Sequence, residues 1–247
     1  LNDAKKFGFA ESNPISDLNG SDAASKIKIL SSIAFKKSIS DKKILTEGIQ
    51  SINQMDIVHA KKLGYKIKLL AISEIINSKL VERVHPCLVS QNSYIAKING
   101  VLNALVIDGT PIGRTVIQGE GAGPGPTTSA LISDLCSVIN GNIKYPFGIS
   151  FTQRKKLPNF NILNHICSSY LRLEVKDLPG VLSSITTIFA RNKISIKNLI
   201  QEPNKKMKRA ALFIITHKTL EKNYKNLLLN LKKNKFVTKK PTFIRIE

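Results

Sequence analysis

The chain has 247 residues, 42% of them apolar and 22% charged, a composition ordinary for a globular protein. That length buries a substantial core in one or two domains. No apolar run approaches the roughly 20 residues that span a bilayer, which excludes a helical membrane protein. Cys87, Cys136 and Cys167 are odd in number and widely spaced. They exclude a disulfide framework and a C-x-x-C metal or redox pair, and a reducing, cytoplasmic setting is expected. The sequence opens Leu1-Asn2-Asp3, without Met or a signal-peptide pattern, and this start reads as a cut.

The net charge of +21 is unevenly spread. Residues 1–140 carry 16 Lys/Arg against 12 Asp/Glu, whereas residues 141–247 carry 22 against 5. A field of that sign can recruit nucleic acid or an anionic membrane. The lysines, however, are scattered through amphipathic segments, with few aromatics between them to stack on bases. No zinc-finger, RRM or KH pattern occurs. Solvated basic faces, with no nucleic-acid and no membrane partner, are the favoured reading.

In chain order, residues 1–7 read as the tail of a helix stopped at Gly8, and residues 11–20 as a polar turn broken by Pro14. Ala23, Ile27, Leu30 and Ala34 recur at helical spacing, so a helix is expected over 22–35 with Ser21 as its N-cap. A second helix over 54–63 is closed by Gly64. Residues 65–76 and 79–89 are β-branched and apolar on either side of Asn77-Ser78, a hairpin signal. Residues 101–107 and 112–118 flank a Gly109 turn and read as another hairpin. A helix then starts at Pro126 or Thr127 and runs to about residue 139.

From 141 to 168 the chain shows no sustained period and contains Gly141, Pro146, Gly148 and Pro158, so a linker is expected. Beyond it, residues 170–176 alternate as a strand. Residues 180–191 carry the apolar stripe Val181, Leu182, Ile185, Ile188 and Phe189. Strands follow over 194–200 and 210–216, a helix over 220–231, and a last strand from Phe236 that Pro241 bends. The order βαββαβ is the ferredoxin-like arrangement. The expected fold class is α+β: a mixed-sheet domain over 1–140, a linker over 141–168, and a ferredoxin-like domain over 169–247.

The segment richest in chemistry is Gly8-Phe9-Ala10-Glu11-Ser12-Asn13-Pro14, followed by Asp17-Leu18-Asn19-Gly20-Ser21-Asp22 and, one turn on, Lys26. Asp22 and Lys26 share a helix face. Glu11 lies in the turn that feeds this helix. Two carboxylates and an ammonium thus converge on a small polar site suited to a zwitterionic ligand. The carboxylates hold its amine and the lysine transfers a proton. Taken alone, an Asp–Lys pair at this spacing is far more often a solvated ion pair.

The run G-[FY]-x-E-x-[DN]-P, a short gap, then D-[LV]-x-G-x-D-x-x-x-K is similar to the substrate-site motif of homoserine dehydrogenases. The similarity continues through Glu47-Gly48-Ile49, Leu63-Gly64-Tyr65-Lys66, Arg83-Val84-His85-Pro86, Asn99-Gly100-Val101 and Gly119-Glu120-Gly121-Ala122-Gly123. It covers nearly all of residues 1–140, in order. The resemblance implies NAD(P)-dependent interconversion of L-homoserine and L-aspartate 4-semialdehyde, on the route to threonine, methionine and isoleucine. By position, Lys26 is then the proton donor or acceptor, and Glu11 and Asp22 bind the substrate amine. The oxidative direction needs a neutral lysine and hence alkaline pH. Asn13 departs from the aspartate more usual there, and a local turn effect is expected. Glu47 is either structural or a second layer behind the substrate.

Gly119 to Gly125 precede a helix, and as an isolated feature they are a tight strand-to-helix turn rather than a dinucleotide fingerprint. The resemblance places Gly121, Ala122 and Gly123 beside the nicotinamide end of NAD or NADP. It also implies a separate Rossmann domain upstream of Leu1, so that this chain would be a C-terminal part, inactive alone.

The second domain resembles an ACT domain: Leu171-Arg172-Leu173-Glu174-Val175 leads into Asp177-Leu178-Pro179-Gly180-Val181-Leu182, and Ile194-Ser195-Ile196-Lys197-Asn198-Leu199 matches its second strand. The resemblance implies an amino-acid effector, threonine by pathway, at Asp177, Gly180, Val181 and Asn198. It also implies a homodimer or homotetramer. Purely structural pairing is the competing role for this domain. The alternatives for the whole chain are a non-catalytic regulatory or dimerisation module and a basic nucleic-acid-binding protein. His85 reads as a core or edge residue, and His59, His165 and His217 show no metal-ligand spacing with one another.

Overall fold

The computed structural model describes residues 13–39, 42–142, 145, 148–204 and 208–247. The expected helix tail over 1–7, Gly8 and Glu11 lie outside the described residues. Within the expected polar turn a short helix forms, α1 (Ile15–Asn19), preceded by Pro14 with φ −84°. Proline suits a helix start because the N–H it lacks has no helical partner there. Gly20 ends α1 with φ +82° and at the same point opens α2 (Ser21–Phe35). The cap of α2 is thus Gly20, not Ser21. Ser21 is already helical, and its N–H donates to Asn19 Oδ1 at 2.8 Å.

The buried face of α2 is also rotated from the expected stripe. Ile27, Ser31 and Ser32 are buried, while Leu30 is 38% exposed and Ala34 faces outward. A polar cluster directs this. The Ser31 hydroxyl donates to Glu82, which pairs with Lys37 at 3.0 Å, and both charged side chains are almost wholly buried. Apolar periodicity does not register such a network.

Beyond α2 come β1 (Leu45–Thr46), α3 (Gln54–Lys62), β2 (Tyr65–Ile76) and β3 (Lys79–Ser90). Asn53 and Asp56 form a reciprocal capping box at the start of α3. β2 and β3 make the long hairpin expected, with Asn77 and Ser78 both at positive φ in the turn. A short α4 (Tyr94–Lys97) leads to β4 (Leu102–Gly109) and β5 (Gly113–Glu120), a separate two-stranded sheet. α5 (Pro124–Ile139) follows, starting at Pro124 rather than at Pro126 or Thr127, and it buries no residue.

Residues 148–165 hold two short 3₁₀ turns, Phe151–Gln153 and Ile162–Asn164, and bridge back to Lys37 and Leu80. Then come β6 (Ile166–Lys176), α6 (Val181–Arg191), β7 (Ile196–Asn204), β8 (Arg209–Thr216), β9 (Thr219–Leu220), α7 (Glu221–Lys233) and β10 (Thr242–Ile246). The last strand starts after Pro241, not at Phe236; Val237 makes a single bridge to Val175. A proline cannot donate to the ladder, so pairing resumes only beyond it.

One sheet joins the two halves, in the order β1–β3–β10–β6–β8–β7, with β2 also on β3 and β9 on β6. β1 and β10 lie in tandem along one edge of β3, both parallel to it: Leu45 pairs with Arg83, and Arg245 with Cys87. One face of the β6–β8 region packs under α6 and α7 through Leu171, Leu173, Ile185, Phe189, Leu212 and Leu227. The other packs against α3, where Ala60 and Leu88 meet Tyr170, Phe213 and Ile244.

Candidate active site

Asp22 Oδ2 and Lys26 Nζ lie 2.7 Å apart on the first turns of α2, with 39% and 68% of their side chains exposed. An ion pair so open adds little stability. What sets it apart is the rigidity of its base. Gly48 abuts the end of α1 so closely that a Cβ there would overlap the Leu18 carbonyl oxygen and stand 2.6 Å from Asn19 Cα. The Ile49 N–H donates to that same Leu18 carbonyl at 2.9 Å, and Glu47 N–H to Val84 O at 2.8 Å. Residues 47–49 therefore dock the α1–α2 corner onto β3. The Glu47 carboxylate turns away to accept from Arg245 Nη1 at 2.7 Å.

Asn13 Oδ1 accepts from Ile15 N–H at 3.4 Å, a local turn contact. Gly121, Ala122 and Gly123 sit at the junction of β5 and α5. Gly123 has φ 112° and ψ 162°, a conformation reserved for glycine. A Cβ on Gly121 would run into the Asn103 amide, and around Gly119 and Gly125 such an atom would meet open space. The strand-to-helix turn is thus open at Gly119 and Gly125 and covered by Asn103 at Gly121.

In the C-terminal half, Asp177, Gly180 and Val181 line a cavity of about 220 Å³, closed on one side by Gln201. Gln201 Nε2 donates to Asp177 Oδ1 at 3.4 Å. Asn198 does not line it: it is exposed at a register shift of β7 and pairs with Ile215. The second strand therefore reaches this turn within one chain through Gln201, three residues further along.

Sequence reasoning missed the pairing of three buried arginines where the halves meet. Arg245 of β10 binds Glu221 and Glu47. Burial alone would lower its pKa, and the two carboxylates overcome this and raise it. Arg83 of β3 joins Glu74 and Glu247. Arg172 of β6 meets Asp56 at 2.8 Å. Beside them His85 is fully buried, and burial together with Arg245 pulls its pKa down to about 3. The sequence signal for these groups was slight: single arginines inside otherwise apolar strands.

The homoserine dehydrogenase family profile matches residues 1–136, more than half of the chain. The chain belongs to the homoserine dehydrogenase family. The ACT domain profile matches residues 169–235. Homoserine dehydrogenases of Helicobacter pylori and Neisseria gonorrhoeae are 38% and 34% identical, each match covering all of this chain. The chain spans 58% of the length of both. The crystal structure of a homoserine dehydrogenase from Thiobacillus denitrificans superposes with a TM-score of 0.87 at 34% identity, over 100% of this chain and 57% of that one. A homoserine dehydrogenase of S. aureus at pH 7.0 gives 0.66 at 25% identity, over 100% and 58%. The fold is thus the α+β one of homoserine dehydrogenases with an ACT domain. Its two matched parts are welded at β3–β10, since β10 lies past the end of the ACT match.

Proposed function

We propose that this chain forms the substrate-binding and catalytic part, with an ACT regulatory part, of an NAD(P)-dependent homoserine dehydrogenase interconverting L-homoserine and L-aspartate 4-semialdehyde. The observation that carries this is the Asp22–Lys26 pair at 2.7 Å on a helix start that Gly48 and Gly20 hold in place. In the reductive direction the Lys26 ammonium protonates the oxygen at the reacting carbon. Asp22, with Glu11, holds the substrate amine, so the reacting oxygen is presented to Lys26 in one orientation. In the oxidative direction the neutral Lys26 amine takes the hydroxyl proton.

The turn Gly121-Ala122-Gly123 at the N-terminus of α5 would lie along the edge of a nicotinamide nucleotide, NAD or NADP, where helix N–H groups favour an anionic ligand. When bound, the nicotinamide supplies or accepts the hydride. The three cysteines are free, two of them buried, which favours a reducing cytoplasm as the setting. Among the described residues no helix is long and apolar enough to cross a membrane. Residues 1–140 and 169–247 are proposed as the two domains, with 141–168 as the connection, and the assembly as a homodimer or homotetramer. The effector is proposed to be threonine, held at Asp177, Gly180 and Val181, with Asn198 belonging to a paired ACT domain's contribution.

Kinetics of the whole enzyme carrying Lys26→Ala test the catalytic reading. The expected result is a fall in kcat of about 100-fold or more with a smaller change in KM, the scale of a positioned acid–base group. A kcat within about threefold of the parent would overturn the role of Lys26. Asp22→Ala is expected to weaken substrate binding as well.

A further inference from the structure

We propose that His165, Cys167 and Glu221 form a site for one divalent ion of the zinc class, at the root of β6 where it meets α7. His165 and Cys167 stand two residues apart on one chain segment, and Glu221 opens α7. A ring nitrogen of His165, the Cys167 sulfur and a Glu221 oxygen all lie within 4.8 Å of one another. A tetrahedral zinc ion with bonds of about 2.0–2.3 Å needs its ligand atoms roughly 3.3–3.8 Å apart, so modest side-chain shifts close the cage. The Cys167 thiol already points at Glu221 Oε2, at 3.3 Å. The backbone is pinned as well, because Glu221 N–H donates to His165 O at 2.8 Å.

The donor set of imidazole, thiolate and carboxylate is the mixture zinc accepts. His165 Nδ1 is buried and finds no hydrogen-bond partner among the described residues. On binding, the sulfur–metal bond forms as the thiol proton leaves to solvent. Two negative charges then meet the ion's two positive ones. Arg245 Nε donates to both Glu221 oxygens, Oε1 at 3.1 Å and Oε2 at 3.2 Å, and Glu47 also balances that guanidinium at 2.7 Å. Three protein ligands leave a fourth position for water on the partly exposed His165 side.

A second group, His85, Cys87 and Glu247, is also compact. It is the poorer site. His85 and Cys87 are wholly buried, and the Cys87 sulfur already contacts His85 Nδ1 at 3.1 Å.

The test is titration of Co²⁺ into the reduced 247-residue chain, followed by absorption spectroscopy and displacement with Zn²⁺. One Co²⁺ per chain is expected, with the near-ultraviolet thiolate-to-cobalt charge-transfer band and the intense visible bands of tetrahedral cobalt. Cys167→Ser is expected to abolish the charge-transfer band. His165→Gln should weaken binding by more than about 100-fold, since losing even an outer-layer partner of a metal ligand costs roughly 10–100-fold. Cys87→Ser and Cys136→Ser should change nothing. Absence of the thiolate band in the parent chain, its survival in Cys167→Ser, its loss in Cys87→Ser, or unchanged affinity in His165→Gln each overturns the proposal. If Cys167→Ser does not fold, His165→Gln, at a partly exposed position, decides the matter.

Discussion

Asp56 at the start of α3 and Arg172 in the middle of β6 meet at 2.8 Å, with the carboxylate wholly buried and the guanidinium 8% exposed. The pair fastens the homoserine dehydrogenase part to the ACT part. Asp56 also accepts from Tyr170 Oη at 2.8 Å and from Asn53 N–H at 2.9 Å, so one carboxylate caps a helix and ties two segments over a hundred residues apart. Removing one partner of such a pair strands the other. Asp56→Ala is expected to destabilise the chain by about 3–5 kcal/mol in urea unfolding. Asp56→Ala combined with Arg172→Met should cost clearly less than the sum of the single changes, because the stranded charge is then gone. Strict additivity in that double-mutant cycle would show that the two residues do not act together.

Much of the fold was legible because local chemistry agreed with the final structure. The β2–β3 hairpin announced itself by β-branched runs around Asn77-Ser78, and α6 by its stripe of Val181, Ile185 and Phe189. The Asp22–Lys26 contact was legible from spacing alone. The face of α2 was not, since Ser31 and Lys37 are buried by a bond to Glu82 some fifty residues away. The joining of β10 to β3 was equally hidden. Strand periodicity shows which face a strand buries and carries no information about its edge partner. The α1 helix escaped because five residues give too few positions for a period.

Gly48 offers a sharp test of how the proposed catalytic corner is held. A methyl group there overlaps the Leu18 carbonyl, which itself anchors Ile49. Gly48→Ala is expected to lower stability by about 1–3 kcal/mol, the range for overpacking. In the whole enzyme it should also lower kcat, because the α1–α2 corner carrying Asp22 and Lys26 must move. Overpacking at a buried position distant from the corner, such as Ala210→Val, should cost stability and leave kcat alone. Equal kinetic effects of the two would remove the positioning role of Gly48.

Acid should weaken this protein through His85. Its folded pKa of about 3 lies below the ordinary 6.5, because of burial and the charge of Arg245. The unfolded chain therefore binds a proton that the folded one refuses as pH falls from about 6.5 toward 3. Stability is present in full above that window and is lost on going down through it, by about 1.4 kcal/mol per pH unit for each such proton. His165 is shifted in the same direction. Urea unfolding of the parent and of His85→Gln at several pH values between 7 and 4 measures this. The variant should show a pH slope shallower by nearly one proton, and parallel slopes would exclude His85 as a source of acid sensitivity.

Regulation is expected to travel through the shared sheet. The cavity beside Asp177 and Gly180 offers a carboxylate for an effector's amine and the N-terminal backbone of α6 for its carboxylate. From there β8, β6 and β10 run side by side to β3, against which the α1–α2 corner docks through Glu47 and Val84. A ligand that tilts the ACT sheet must therefore shift β10 against β3, and with it Arg245 and Glu47. The coupling should be about 1–3 kcal/mol, a 5- to 150-fold change in apparent affinity. The intact chain is the material to use, because Tyr170 and Ile244 pack against Ala60 and Leu88 and would be exposed in residues 169–247 alone. Calorimetric titration with threonine, isoleucine, methionine and serine at millimolar levels should detect binding of threonine. Gly180→Ala should weaken it, since φ +82° strains any residue with a Cβ. Asp56→Asn should leave threonine binding in place while reducing its effect on the whole enzyme, because it loosens the joint and not the pocket. If no amino acid binds and the whole enzyme ignores threonine, the ACT part serves assembly alone.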